Sequence, residues 1–160
     1  MTLQIDRLKK VLHYDPNTGV FTWLQATANR ISVGAVAGAL SNKGYVRIQI
    51  DRKIHPAHRL AWLYTYGVWP KSAIDHINRV KTDNRIVNLR EATPSENARN
   101  SGLRRDNKWG YKGVSYWARK KKWAAQIRID GKNKLLGVFV SPEDAGAAYA
   151  QAVKLYGLEM

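Results

Sequence analysis

The chain of 160 residues contains no cysteine. That excludes disulfides, zinc–thiolate sites and cysteine nucleophiles together, and it suits a reducing cytosol. Long apolar runs are also missing. None approaches the ~20 residues a membrane-spanning helix needs, and the opening MTLQIDRLKKVLHYDP has no apolar signal-peptide segment. The expectation is a cytoplasmic protein with no membrane contact. Acidic charge is scarce: 12 Asp and Glu face 27 Lys and Arg, giving a formal net charge of +15 and a pI near 10.2. A chain this basic is expected to meet nucleic acid, with a membrane surface or an acidic partner as the alternative.

The length allows one ordinary domain or two small ones, and 44% hydrophobic residues suffice for a core. The positive charge is uneven. Residues Arg104 to Lys134 hold eleven Lys and Arg against Asp106 and Asp130, a net of +9 in 31 residues.

Leu3, Leu8, Val11 and Leu12 fall at helical spacing, which predicts a helix over residues 2–13. Asp15 to Gly19 is a turn, and Val20 to Leu24 a strand. Residues 25–41 are ambiguous. Val46, Ile48 and Ile50 alternate as one strand, and Ile54 begins its return after Asp51-Arg52-Lys53. Pro56 to Tyr66 reads as a helix stopped by Gly67. Ile74 to Ile77 and Asn88 to Glu91 read as short strands, and Thr93-Pro94-Ser95-Glu96 opens a helix with Thr as N-cap and Glu at N3. Residues 100–109 look like a basic linker. Three further strands are expected at Gly113 to Tyr116, Trp123 to Ile129 and Lys134 to Phe139. Their turns fall at Lys120 to Lys122 and Asp130 to Lys132. Ser141 caps a last helix whose apolar stripe is Ala145, Ala148, Tyr149, Ala152, Val153 and Tyr156. The fold class is α+β.

Chemistry concentrates between residues 74 and 97: Ile74-Asp75-His76-Ile77-Asn78, Asp83-Asn84-Arg85, Asn88-Leu89-Arg90 and Ser95-Glu96-Asn97. Asp and Asn oxygens suit a hard divalent cation. A histidine can take a proton from water near neutral pH. The basic surroundings suit a phosphate backbone, and the inventory is that of a one-metal phosphodiesterase. Asn78 and Asn84 read as loop residues that bond the backbone. His58 could cap its helix, pack beneath the site or serve catalysis. His55 reads as an exposed strand residue, and Trp62, Leu63 and Trp69 as core.

Residues 58–97, HRLAWLYTYGVWP…IDHIN…DNR…NLREATPSEN, resemble phage-type HNH endonucleases of the homing class. His76 and Asn88 are twelve residues apart, and Asn88 and Asn97 nine. Residues 111–157 resemble an AP2 DNA-binding domain through YKGV, WAAQIR, LGVF and AGAAY. Together the two resemblances imply four regions: an N-terminal helix and β-hairpin region (1–54), a ββα-metal HNH core (55–100), a linker (101–110) and an AP2-like three-stranded sheet with one helix (111–160).

The HNH resemblance implies that Asp75 and Asn97 bind one Mg²⁺ or Mn²⁺, that His76 is the general base, and that Asn88 holds the His76 ring. The last position is Asn97 where the commonest pattern has His, which lowers affinity for softer metals. Arg85 and Arg90 could meet phosphate or simply cover the fold. The AP2 resemblance implies a sheet that faces DNA through Lys112, Ser115, Trp117, Arg119, Trp123, Gln126 and Arg128, with Trp117 favoured over Trp123 for that face and core as the alternative for either. Phosphates would be met by Lys120, Lys121, Lys122, Lys132 and Lys134. Several of these positions hold Lys, Ser or Trp where plant AP2 domains have Arg, so the plant sequence preference does not carry over. The expected partner is duplex DNA, acted on by a monomer or weak dimer with no obligate protein partner. The expected activity is phosphodiester hydrolysis by a homing or free-standing phage nuclease. The competing reading is a DNA-binding regulator with an inactive nuclease core, and a weaker one is an RNA-binding or structural basic protein.

Overall fold

The computed structural model describes residues 3–29, 31–129 and 131–158. The chain divides into two compact units, Met1–Asn97 and Ala98–Met160. It is a mixed α+β protein with four small antiparallel sheets and four helices among the described residues.

In the first unit, helix α1 (Ile5–Val11) buries Leu8 and Val11, three residues apart on one face. The sequence predicts this helix through residue 13, but the chain instead turns extended at Leu12. Strand β1 (Leu12–Asp15) pairs with β2 (Val20–Trp23), matching Leu12 to Trp23 and Tyr14 to Phe21. The reason is a change of period: Leu12 and Tyr14 alternate inward as Phe21 and Trp23 do, so a two-residue repeat replaces the helical one. A second sheet joins β3 (Ala39–Leu40), β4 (Val46–Ile50) and β5 (Lys53–Pro56). Ile48 and Ile50 enter the core while Arg47 and Gln49 face out. Helix α2 (Ala57–Tyr66) follows at once, packs Leu60, Ala61 and Leu63 inward, and ends on Gly67 in the left-handed region at φ 75°. One continuous core unites α1, β1, β2, β4, α2, Ile74 and Leu89.

Strand β6 (Ala73–His76) pairs antiparallel with β7 (Leu89–Ala92), setting Asp75 opposite Arg90 and His76 opposite Leu89. Asn88 is not on a strand: it ends a 3₁₀ turn, Ile86–Asn88. Helix α3 (Pro94–Asn100) begins after Thr93 in a reciprocal cap. The Glu96 amide donates to Thr93 Oγ1, and Glu96 Oε2 accepts from the Thr93 amide.

In the second unit, β8 (Val114–Trp117), β9 (Lys122–Ile129) and β10 (Lys132–Phe139) form a sheet with β9 central. Helix α4 (Pro142–Leu155) packs on all three strands. Ser141 caps it by accepting from the Asp144 amide. The core here is small: Val114, Ala125 and Ala145, with Tyr111, Trp123, Leu136, Phe139 and Ala148 partly buried around them. The residues read as a linker, 101–110, lie within this second unit. Asp130, read as part of a turn, lies outside the described residues. No helix among the described residues is long and apolar enough to cross a membrane.

Candidate nuclease site

Asp75 and His76 end β6, and both are buried at 6% and 4% exposure. Successive strand residues project to opposite faces, so the two side chains meet different neighbours. Asp75 Oδ2 accepts from Arg90 Nη2 at 2.9 Å and from Arg90 Nε at 3.2 Å, across the β6–β7 pair. The His76 ring lies edge to face with His58 at 5.2 Å between centroids, and Tyr45 lies 5.9 Å from His76 and 5.3 Å from His58. Burial pushes the His76 pKa down, against raising contributions from its bond to Asn84 and from the Asp75 charge.

The bond to Asn84 corrects an expectation. The residue on the His76 ring is Asn84, whose Oδ1 lies 3.2 Å from His76 Nε2, and not Asn88. Both ends of the Asn88 carboxamide are engaged in the loop that separates β6 from β7. Its Oδ1 accepts from the Asn78 amide at 2.9 Å, and its Nδ2 donates to the Asp83 carbonyl at 2.8 Å. Asn88 therefore stitches the loop closed. Asn78 helps, donating from Nδ2 to Asp83 Oδ2 and accepting from the Val80 amide. Asn84 does bond the backbone as expected, through Nδ2 to the Thr82 carbonyl, but its oxygen reaches the histidine. Spacing could not separate these two amides, because a twelve-residue interval fixes neither which carboxamide turns inward nor what it meets.

Asn97 sits exposed in the first turn of α3. Among the described residues no group of three or more His, Cys, Asp or Glu side chains is placed to hold a metal. The candidate donors, one carboxylate and one carboxamide, are all oxygen, the chemistry a hard cation accepts when substrate phosphate and water complete its shell. Arg90 shares the carboxylate. Arg85 is likewise engaged, pairing with Asp83 at 2.6 Å and holding that carboxyl down to about 2. His58 carries a buried Nδ1 with no hydrogen-bond partner, and burial lowers its pKa to about 4.

The sheet residues divide by register. Tyr116 faces Trp123 and Val114 faces Ala125, on the side that carries α4. Ser115, Trp117, Lys122, Gln126 and Arg128 alternate to the opposite, open side. Trp117 is 40% exposed, and Lys120 Nζ lies 4.4 Å above its ring. Arg119 and Lys121 lie in the turn that follows β8. Lys132 and Lys134 are in register with Ile129 and Ile127 and so belong to the helix side, where Lys134 bonds the Tyr156 hydroxyl. Lys112 Nζ donates to the carbonyls of Arg99 and Ser101. The expected phosphate ligands are thus not on one surface.

Residues 55–99 match the family model for HNH endonuclease. The match contains Asp75, His76, Asn84, Asn88 and Asn97, and it excludes Tyr45 and everything before it. The chain is also 33% identical over 76 residues to Protein 3.8 of Escherichia phage T7, an alignment that covers 47% of this chain and 63% of that protein. The chain thus spans less than two thirds of that relative's length. No solved structure matches. The AP2-like reading of the second unit finds no support in either match.

Proposed function

We propose that this protein is a divalent-metal-dependent HNH endonuclease that hydrolyses a phosphodiester bond of duplex DNA. One observation carries the reading: within the HNH-matched residues, a buried His76 is hydrogen-bonded at Nε2 by a carboxamide oxygen and directly follows Asp75. A carbonyl oxygen only accepts, so Nε2 carries the hydrogen and Nδ1 is the basic nitrogen. His76 Nδ1 takes the proton from the attacking water. Asp75 and Asn97 would hold one Mg²⁺ or Mn²⁺, which supplies charge neutralisation at the phosphate and at the departing 3′ oxygen when bound. Asn88 keeps the intervening loop in shape. In this reading the β6–β7 pair and α3 serve as a ββα-metal core.

The second unit serves as the DNA-binding module. Its open sheet face, with Ser115, Trp117, Lys122, Gln126 and Arg128, is the AP2-like surface, and Lys120 and Lys121 border it. A phage homing or free-standing nuclease is the finer reading, supported by the phage relative and the HNH resemblance. The regulator with an inactive core is favoured by one specific observation, the Arg90 guanidinium on the Asp75 carboxylate. The test separates the two. With Mg²⁺ or Mn²⁺ the wild-type protein is expected to cut duplex DNA. The change His76→Ala should lower the cleavage rate by about 10²–10⁴-fold, the usual worth of a general base, with DNA affinity within about twofold. Absence of cutting by the wild-type protein at excess over DNA favours the regulator instead.

A further inference from the structure

The brace behind the His76 ring, Asn84, is itself held from outside the HNH-matched residues. Asn84 is 2% exposed, and its carboxamide can sit only one way round, because Nδ2 donates to the Thr82 carbonyl. Its oxygen therefore faces His76 Nε2 and selects the Nε2–H form; in the other tautomer, two lone pairs would oppose each other. What fixes Asn84 is the β1–β2 hairpin. The Tyr14 hydroxyl donates to the Asn84 main-chain carbonyl at 2.7 Å. The Tyr14 ring is itself clamped between Phe21, at 4.7 Å, and Tyr64, at 5.7 Å. At the hairpin turn Gly19, φ 74°, lies against the same peptide: a Cβ there would stand 2.5 Å from Asn84 C and 2.4 Å from Arg85 N. Burial raises the Tyr14 pKa, so its hydroxyl stays a donor throughout the neutral range.

We infer that Asn84, held by Tyr14 and Gly19 of the N-terminal hairpin, is the positioning residue that sets the tautomer and direction of His76. The hairpin is then a working part of the nuclease site. The inference rests on His76 being the base.

The tautomer can be read directly. In ¹⁵N-labelled protein above pH 7.5, long-range ¹H–¹⁵N correlations report which imidazole nitrogen carries hydrogen, and the His76 signal is the one lost in His76→Ala. The wild type is expected to show Nε2–H. Asn84→Ala should show a mixture, with kcat on duplex DNA down about 10- to 100-fold and KM within twofold. Tyr14→Phe should lower kcat about threefold and broaden or shift the same signal. If His76→Ala still cuts, the base assignment fails and this inference with it. If His76→Ala is inert while Asn84→Ala keeps the Nε2–H form and wild-type kcat, the inference alone is overturned. Should Asn84→Ala not fold, Tyr14→Phe decides: an unchanged His76 signal and an unchanged kcat overturn the inference.

Discussion

In residues 1–97, helices α1 and α2 and the small sheets around them enclose one core that runs from Leu8 to Leu89, and Asp75, His76, Asn84 and Asn88 are buried along with it. Among the described residues of 98–160 the buried apolar centre shrinks to Val114, Ile127 and the small side chains of Ala124, Ala125, Ala145 and Ala152, while Lys, Arg and Trp stand in solvent. On the proposed function, the contrast has a reason in how each unit would use its polar groups. A base must be held within a fraction of an ångström, so the groups that orient it are desolvated and hydrogen-bonded. A surface for a polyanion needs charge in water, where counterions can be exchanged. The first unit therefore invests in packing and the second in display.

The largest way to break this contrast is to hollow the first core. Leu60 is fully buried on α2. Leu60→Ala is expected to cost about 2–5 kcal/mol, measured by the urea midpoint, and to abolish cutting with the fold. Val114→Ala in the second unit should cost only about 1–2 kcal/mol, because a smaller side chain is trimmed in a smaller core. Equal losses at the two sites would show that the units share one stability.

Acid probes the same difference. His58 has its pKa lowered to about 4 from an ordinary 6.5, by burial first and then by His76 and Arg59. Between those values the unfolded chain binds a proton that the folded one refuses. Stability is therefore full above pH 6.5 and falls as pH drops from 6.5 to 4, by roughly 3 kcal/mol. His76, also lowered by burial, acts in the same direction. Comparing urea midpoints at pH 7 and pH 4.5, His58→Phe should lose clearly less than the wild type. A variant as acid-sensitive as the parent would remove His58 from the account.

How much of this is legible in the sequence depends on whether one strand or one neighbour decides it. Hairpin β4–β5, the stop at Gly67, the Thr93 and Ser141 caps and the stripe of α4 from Ala145 to Val153 follow from short-range patterns, and the structure has them, whereas Tyr156, read as the stripe's end, caps the helix exposed. Strand Leu12 to Asp15 is hidden because Leu8, Val11 and Leu12 continue a helical spacing until the pairing partner, β2, is known. Asp75, His76, Asn88 and Asn97 stand out by type and spacing. The Asn84–His76 bond and its Tyr14 brace do not, since Tyr14 lies 70 residues away and only tertiary packing brings it to that carbonyl. The lysines are equally opaque one by one. Lys112 and Lys134 look like phosphate ligands in a basic run, yet their amines bond groups of their own unit.

The lysine tip sharpens the binding side of the comparison. Replacing Lys120, Lys121 and Lys122 together with Ala is expected to weaken duplex binding about tenfold at moderate salt. It should also reduce the slope of log affinity against log salt by about 2 to 3, one for each phosphate that is no longer neutralised. The cleavage rate at saturating DNA should stay put, because all three belong to the second unit and the proposed reacting groups to the first. A fall in that rate with affinity unchanged would move these lysines into the first unit's work.

The smallest test sets two helix caps side by side. Thr93 and Ser141 do the same job: each hydroxyl oxygen accepts a main-chain N–H three residues on and donates to that residue's carboxylate. Replacing either by Ala should cost about 1 kcal/mol. Their consequences should then part. Asn97 follows Glu96 directly, and its amide makes the first turn's bond to the Thr93 carbonyl. Thr93→Ala thus loosens the turn that presents a proposed metal donor. It is expected to raise the Mg²⁺ concentration for half-maximal cutting several-fold. Ser141 caps a helix that carries no such donor, so the same loss of stability in Ser141→Ala should leave the Mg²⁺ requirement where it was. If both variants shift it alike, Asn97 is not the reason, and general loosening of the protein is.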